Sequence, residues 1–286
     1  MQYNHTNLWT EEERGMLLGM ITLLALVSAV LIYIGGGGIL AGVVGFVGSF
    51  VSLLVLAAAF FFVMCQIAGM QAPRQVDSPF YRRMIHLYVD AVLTLGRVEL
   101  KVEGAEQMPA NGRILLVCNH RDNLDPAFLL TAFRRKQLAF ISKREVQDMF
   151  LIGKVMHKIL CQPINRENDR EALKTIINCI RLIKEDEASV AVFPEGYIYD
   201  DRKLHRFRHG VFKIATKTNV PIAVCTLRGT TEVLPNLKRL KPSRVEVHLV
   251  KMIYPEEYAP LTTVELGDRI YDLMAADLGP ELVSGE

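Results

Sequence analysis

Residues Leu115–Phe128 read LLVCNHRDNLDPAF, an apolar run that ends abruptly in Asn, His and two Asp. A short aliphatic segment bounded by turn-forming residues predicts a buried strand that surfaces at the edge of a sheet. His120 and Asp125 stand five positions apart, and on one continuous helix that step would rotate about 500° and separate their side chains. They share a site only if they straddle a turn. Asp125 followed by Pro126 offers one, because Asp at an N-cap and Pro at the first helical position are both favoured. The stretch therefore reads as strand, loop and helix, with His120 on the loop and Asp125 at the helix mouth. Two readings of Asp125 stay open: it orients His120, or it only caps the helix, with Asp122 competing for either role.

Outward from this point, apolar strands alternate with helical patterns. VELKV comes before it; after it follow a helix from Asp125, LAFIS, a helix near Val146 to His157, and CQPIN. A helix from about Arg170 to Lys184, ASVAVFP, a helix from Gly210 to Lys217, PIAVCTL, RVEVHLV and a last helix near Val264 to Met274 complete the series. Such alternation predicts an α/β domain layered around a largely buried sheet, with chemistry gathered where strands end and loops begin.

The 286 residues are 50% hydrophobic, and the excess is concentrated near the N-terminus. From Gly15 to Pro73 there is no Asp, Glu, Lys, Arg or His. A bilayer core needs about 20 apolar residues per helix, so this segment holds enough for two passes. Gly35 to Gly38 divide it into Met16–Ile34 and Ile39 to about Met70, which predicts a helical hairpin. The start, MQYNHTNLWTEEER, is acidic where a cleavable signal would be cationic. Arg74, Arg82, Arg83 and Arg97 after the hairpin place both ends on the cytoplasmic side, and the Asn4-His5-Thr6 sequon is then never glycosylated. The second apolar segment is longer than a span needs, which means either tilt or an interfacial part. Residues 1–73 are thus read as tail and membrane hairpin, 74–97 as an amphipathic connecting helix, and 98–286 as the α/β domain.

The connecting helix, SPFYRRMIHLYVDAVLTLG, repeats Tyr81, Ile85, Tyr88, Val92 and Leu95 at helical spacing. It lies along lipid headgroups or packs on the domain. The net charge is +2, and the basic residues cluster: Arg134, Arg135, Lys136, Lys143 and Arg144; Arg202, Lys203, Arg206, Arg208 and Lys213; Lys238, Arg239, Lys241 and Arg244. Beside an anchor these suit anionic headgroups or a phosphorylated substrate. No nucleic-acid-binding motif accompanies them. The five scattered cysteines read as small buried residues rather than disulfides or zinc ligands.

Three strand exits could carry chemistry. His120 is suited to accept a hydroxyl proton near neutral pH if Asp125 holds its other nitrogen. Phe193-Pro194-Glu195-Gly196 follows ASVAVFP, with Gly196 permitting a tight turn. Arg166 follows CQPIN and offers a forked donor to phosphate or carboxylate, or else a surface ion pair.

In this order and spacing the motifs resemble the membrane-associated phospholipid and glycerol acyltransferase family, in particular its bacterial 1-acyl-glycerol-3-phosphate acyltransferases. Asn119, His120 and Asp125 match Asn-His-x-x-x-x-Asp. Lys143-Arg144-Glu145-Val146 through Gly153 to Pro163-Ile164-Asn165-Arg166 is similar to the second region. Phe193 to Gly196 match Phe-Pro-Glu-Gly, Phe207 to Gly210 the Phe-x-x-Gly that follows, and Val220, Pro221 and Ile222 the fourth motif. The resemblance spans Val98 to Leu227. It implies a mixed sheet flanked by helices, with His120 as base and Asp125 as its orienter. Asn119, Lys143, Arg166, Phe193, Pro194, Glu195 and Gly196 are the implied substrate-binding residues. It further implies acyl-CoA or acyl carrier protein as co-substrate, membrane lipids as partners, and neither cofactor nor metal. The family usually continues Glu-Gly-Thr-Arg-Ser, whereas this chain has Tyr197, Ile198 and Tyr199. The departure bears on the acceptor: a lysophosphatidate, another lyso-lipid or glycolipid, or none at all in a membrane-anchored binding protein that has lost activity.

Overall fold

The computed structural model describes residues 15–73, 75–147, 149–165 and 167–285, the side chain of Gln147 excepted. Arg74 and the Asn4 sequon lie outside these residues. The chain opens with two apolar helices, α1 (Met16–Ile32) and α2 (Gly38–Gly69), joined by a widened helical turn at Tyr33–Gly37. Gly36 (φ 89°) and Gly38 (φ 72°) reverse the chain there in the left-handed region that side chains disfavour. α2 returns antiparallel to α1, with the Ser28 and Ser49 hydroxyls 2.8 Å apart and Gly42 against the Ala29 carbonyl.

The predicted hairpin is present, and the extra length of its second arm has a cause. The 17 residues of α1 rise about 26 Å and the 32 of α2 about 48 Å, against about 30 Å of bilayer hydrocarbon. The far end of α2 is docked on protein. Its Cys65 and Ala68 are fully buried with Tyr81, Met84 and Val155. Tyr88 Oη donates to the Ala57 carbonyl at 2.7 Å, and Tyr81 Oη to that of Met64 at 3.3 Å.

Tyr81, Met84 and Tyr88 belong to α3 (Pro79–Leu95), which packs between hairpin and domain. Three of its polar residues, Arg82, His86 and Asp90, are buried, whereas Arg83 and Thr94 are exposed. Arg82, 1% exposed, forms a forked ion pair with Asp77 (2.7 and 2.8 Å) and donates to the Leu138 and Ile159 carbonyls. Asp90 pairs with Arg134.

Beyond α3 run β1 (Val98–Glu103), β2 (Leu115–Cys118), α4 (Asp125–Ala132), β3 (Leu138–Lys143), α5 (Arg144–Gln147), α6 (Ile152–Met156), β4 (Gln162–Ile164) and α7 (Asp169–Lys184). They are followed by β5 (Ser189–Val192), α8 (Lys213–Thr218), β6 (Ile222–Arg228), α9 (Val233–Lys238), β7 (Ser243–Ile253), α10 (Pro255–Tyr258) and α11 (Thr263–Leu278). The strands form one sheet in the order β1-β7-β6-β2-β5-β3-β4. Every neighbouring pair is parallel except β6 and β7, which run antiparallel with an irregularity at Val224/Cys225. The sheet is therefore mixed, as expected.

β2 is central and all four of its residues are buried. The two-residue period sends Leu116 and Cys118 into a layer with Phe128 and Leu129 of α4, and Leu115 and Val117 into a layer with Phe212, Leu266 and Ile270. Because β6, β2, β5, β3 and β4 are mutually parallel, their C-terminal ends share one edge. That edge receives every strand exit singled out from the sequence.

The structure corrects one expectation and adds to others. The helix expected over Val146–His157 is broken into α5, α6 and a short 3-10 turn at His157–Ile159. α9 and α10 were not foreseen. Two of the five residues of the first basic cluster are internal, Arg134 (7% exposed) paired with Asp90 and Lys136 (4%) donating to the Gly112 carbonyl, while Arg135, Lys143 and Arg144 are exposed. The five cysteines are all free and buried, as read from their spacing.

Candidate active site

The register Val117↔Val192 sets the ends of β2 and β5 side by side, so the loops after them meet. Asn119 is buried in the first loop, and its amide replaces a strand rung: Nδ2 donates to the Leu227 carbonyl (3.1 Å) and Oδ1 accepts the Leu227 N–H (2.7 Å). This pins the start of the loop to β6. His120 then turns outward with its ring stacked on Phe193, centroids 4.1 Å apart and planes 14° from parallel. Phe193 in turn lies over Phe140 of β3.

His120 Nδ1 lies 2.9 Å from Asp125 Oδ2. The same oxygen accepts the backbone N–H of Arg121 (2.6 Å) and of Asp122 (2.9 Å), and Asp125 is completely buried. Asp125 is thus not the expected N-cap. Leu124 occupies that position, Asp125 is the first helical residue, and its carboxylate folds back over the preceding loop. Asp122 does not compete for His120, because its Oδ1 accepts the Leu124 N–H at 3.0 Å. With Nδ1–H donated to a carboxylate, Nε2 carries the lone pair. Nε2 has no hydrogen-bond partner among the described residues, and the His120 side chain is 15% exposed.

Glu195 is 1% exposed and ties two loops together. Oε1 accepts the His120 N–H (2.7 Å) and Oε2 the His205 N–H (2.9 Å). Burial pushes its carboxyl up to about 8, partly opposed by these two backbone donors, which favour the charged form. Gly196 closes a turn onto the Phe193 carbonyl (3.1 Å) at φ 80°, and a Cβ there would come 3.1 Å from Arg208 Cδ. Pro194 is buried beneath, and its carbonyl accepts the Arg208 N–H at 2.8 Å.

The remaining sequence candidates fall as follows. Lys143 ends β3 on the same sheet edge, with its ammonium 3.3 Å from Glu145. Arg166 lies outside the described residues. Of the basic residues near the altered motif, Arg206 stacks on Tyr271, Arg208 lies over Tyr197, and Arg202 reaches the Arg121 carbonyl at 2.7 Å. His205 and His209 face separate acids, Asp201 and Asp268. Sequence reading missed Arg121, whose Nε donates to the Arg202 carbonyl at 2.9 Å. Its position directly after His120 was the available signal.

A buried carboxylate fixing one imidazole nitrogen while the other faces outward, at the rim of a parallel sheet, is an arrangement for taking a proton from an incoming nucleophile.

The model of the Acyltransferase family matches residues 99–228. A probable 1-acyl-sn-glycerol-3-phosphate acyltransferase of Mycoplasma pneumoniae is 32% identical over 57% of this chain and 62% of its own length. A protein of the same description from Mycoplasma genitalium is 28% identical over 80% of this chain and 92% of its own. The crystal structure of the 1-acyl-sn-glycerophosphate acyltransferase PlsC from Thermotoga maritima superposes with a TM-score of 0.58 at 17% identity, covering 91% of this chain and 95% of that one, and so shares the fold. The matched segment contains His120, Asp125 and the Phe193–Gly196 turn, so it is the part of this chain holding the candidate site that is similar to the acyltransferase family.

Proposed function

We propose that this chain moves a fatty acyl group from a thioester donor, acyl-CoA or acyl carrier protein, to the free hydroxyl of 1-acyl-glycerol-3-phosphate, a step of phospholipid biosynthesis. The observation that carries the reading is the His120–Asp125 pair, 2.9 Å apart, with Nε2 turned away from Asp125. Nε2 takes the hydroxyl proton as the oxygen attacks the thioester carbonyl. The tetrahedral adduct then expels the sulfur, which takes the proton back from Nε2–H to leave as thiol. Asp125 keeps Nδ1 protonated and steadies the imidazolium formed in between. The apolar segment Met16–Gly69, long and apolar enough to cross a bilayer, fits an acceptor that resides in the membrane. With the hairpin inserted, the basic side chains after it favour a catalytic domain on the cytoplasmic face.

A second reading, acylation of another lyso-lipid or a glycolipid, is favoured by Tyr197 and Ile198 standing where the family has Thr and Arg. One experiment separates the readings. Full-length protein in detergent is given either donor with a panel of lyso-acceptors, and thiol release is followed. 1-Acyl-glycerol-3-phosphate is expected to be turned over best. His120→Ala is expected to lower the rate about 100- to 10,000-fold, and Asp125→Asn to lower it as well. Equal rates for wild type and His120→Ala with every acceptor would remove the base, and binding without turnover would leave only a lipid-binding protein.

A further inference from the structure

Arg121 and Arg202 come from separate loops, one after β2 and one after β5, yet they clasp each other. Arg121 Nε donates to the Arg202 carbonyl (2.9 Å) and Arg202 Nη1 to the Arg121 carbonyl (2.7 Å). Two half-buried arginines whose charges act on each other are thereby tied together, one of them directly after the reacting imidazole in the chain. Neither forms an ion pair among the described residues, and the outer nitrogens of both forks are engaged by none of them. Of the acids whose charge reaches Arg121, Asp125 is committed to His120 and Glu195 to two backbone N–H groups, while Glu232 is exposed and forms no ion pair with it. Arg202 is also held at φ 57°, a left-handed conformation that side-chain-bearing residues rarely adopt and that gathers at binding sites. Adjacent like charges with spare donors suit an anion with several acceptor oxygens.

We propose that the Arg121 and Arg202 guanidiniums form the seat for the phosphate monoester of the acceptor. The inference rests on the acyl-transfer reading and names the group that selects its acceptor. In 1-acyl-glycerol-3-phosphate the reacting hydroxyl sits on the carbon next to the one bearing phosphate. A hydroxyl placed at His120 Nε2 therefore carries its phosphate only a few bonds away, within reach of the very next residue. The pair supplies the cation that Tyr197 and Ile198 do not, without requiring the family's Thr-Arg.

The test measures binding, so that it does not depend on turnover. Full-length protein carrying His120→Ala in detergent micelles is titrated calorimetrically with 1-acyl-glycerol-3-phosphate, with monoacylglycerol as its phosphate-free counterpart, and with coenzyme A. On this background Arg121→Gln and Arg202→Gln keep an N–H donor for the facing carbonyl and remove the charge. Each is expected to weaken the phosphate acceptor about 10- to 100-fold, and monoacylglycerol far less. Where a Gln variant fails to fold, Arg202→Lys keeps the charge, loses the fork, and is expected to show a smaller loss with the same selectivity. Equal losses for both lipids would reduce the pair to a loop clasp and overturn the proposal. So would a loss confined to coenzyme A, which would put the donor's phosphates on the pair, or unchanged binding of all three. Absence of thiol release by wild type would instead sink the acyl-transfer reading, while the binding ratio still decides the seat.

Discussion

Glu195 holds the loop that carries His120 by its main chain, accepting the His120 and His205 N–H groups with one oxygen each. A glutamine has a single acceptor oxygen and would turn its NH2 toward the other N–H. Glu195→Gln is therefore expected to cost about 1–3 kcal/mol. Its pH dependence has a definite sign. Burial raises the carboxyl from 4.5 to about 8, so between those values the folded protein keeps a proton that the unfolded chain releases. The stabilisation is fully present below the unfolded value and is lost as pH rises through about 8. Urea unfolding of both proteins in detergent, at about pH 5 and about pH 8, should show the gap between wild type and variant narrowing as pH rises. A gap that widens would mean that Glu195 is charged in the fold.

At the scale of elements, β2, β5 and β6 were legible because a fully buried parallel strand is written as an uninterrupted aliphatic run. The position of His120 and Asp125 across a turn was legible from Asp-Pro. The place of α3 was not. Its helical spacing survives, but the face buried against the protein includes Arg82 and Asp90, whose partners Asp77 and Arg134 lie on other segments. Asp77 stands just before the helix and Arg134 comes from beyond α4, so periodicity within α3 registers neither charge. Likewise Leu124, an unremarkable residue in the sequence, occupies the N-cap position because Asp125 is drawn back by three donors on the loop before it. Arg82 offers the direct check on α3. Arg82→Ala leaves the Asp77 carboxylate, 8% exposed, without its forked partner and two carbonyls without their donor. The expected loss is about 3–5 kcal/mol. It should appear as a lower denaturation midpoint together with faster amide exchange along α3. A change near zero would mean that α3 is held by its apolar contacts alone.

The whole molecule joins an uncharged hairpin to an α/β domain through a helix that touches both. The near part of the hairpin exposes its apolar side chains, Leu31 at 65%, Ile39 at 76% and Leu40 at 79%, whereas Cys65 and Ala68 at the far end of α2 are fully buried against α3 and Val155. Sequence hydropathy is uniform across both parts and could not divide them. The structure assigns them different physical tasks: the exposed part suits hydrocarbon, and the buried part completes the core around Tyr81 and Met84. Two truncations should therefore behave differently. Removing residues 15–55 is expected to abolish carbonate-resistant sedimentation with lipid vesicles and to leave the unfolding midpoint of the domain nearly unchanged. Removing residues 15–73 is expected to do the same to sedimentation and also to destabilise the domain by about 3 kcal/mol or more, because Tyr81, Met84 and Val155 lose their apolar cover. If the two truncated proteins unfold at the same denaturant concentration, the far end of α2 contributes nothing to the domain. Its length beyond a bilayer span would then need the explanation that docking now provides.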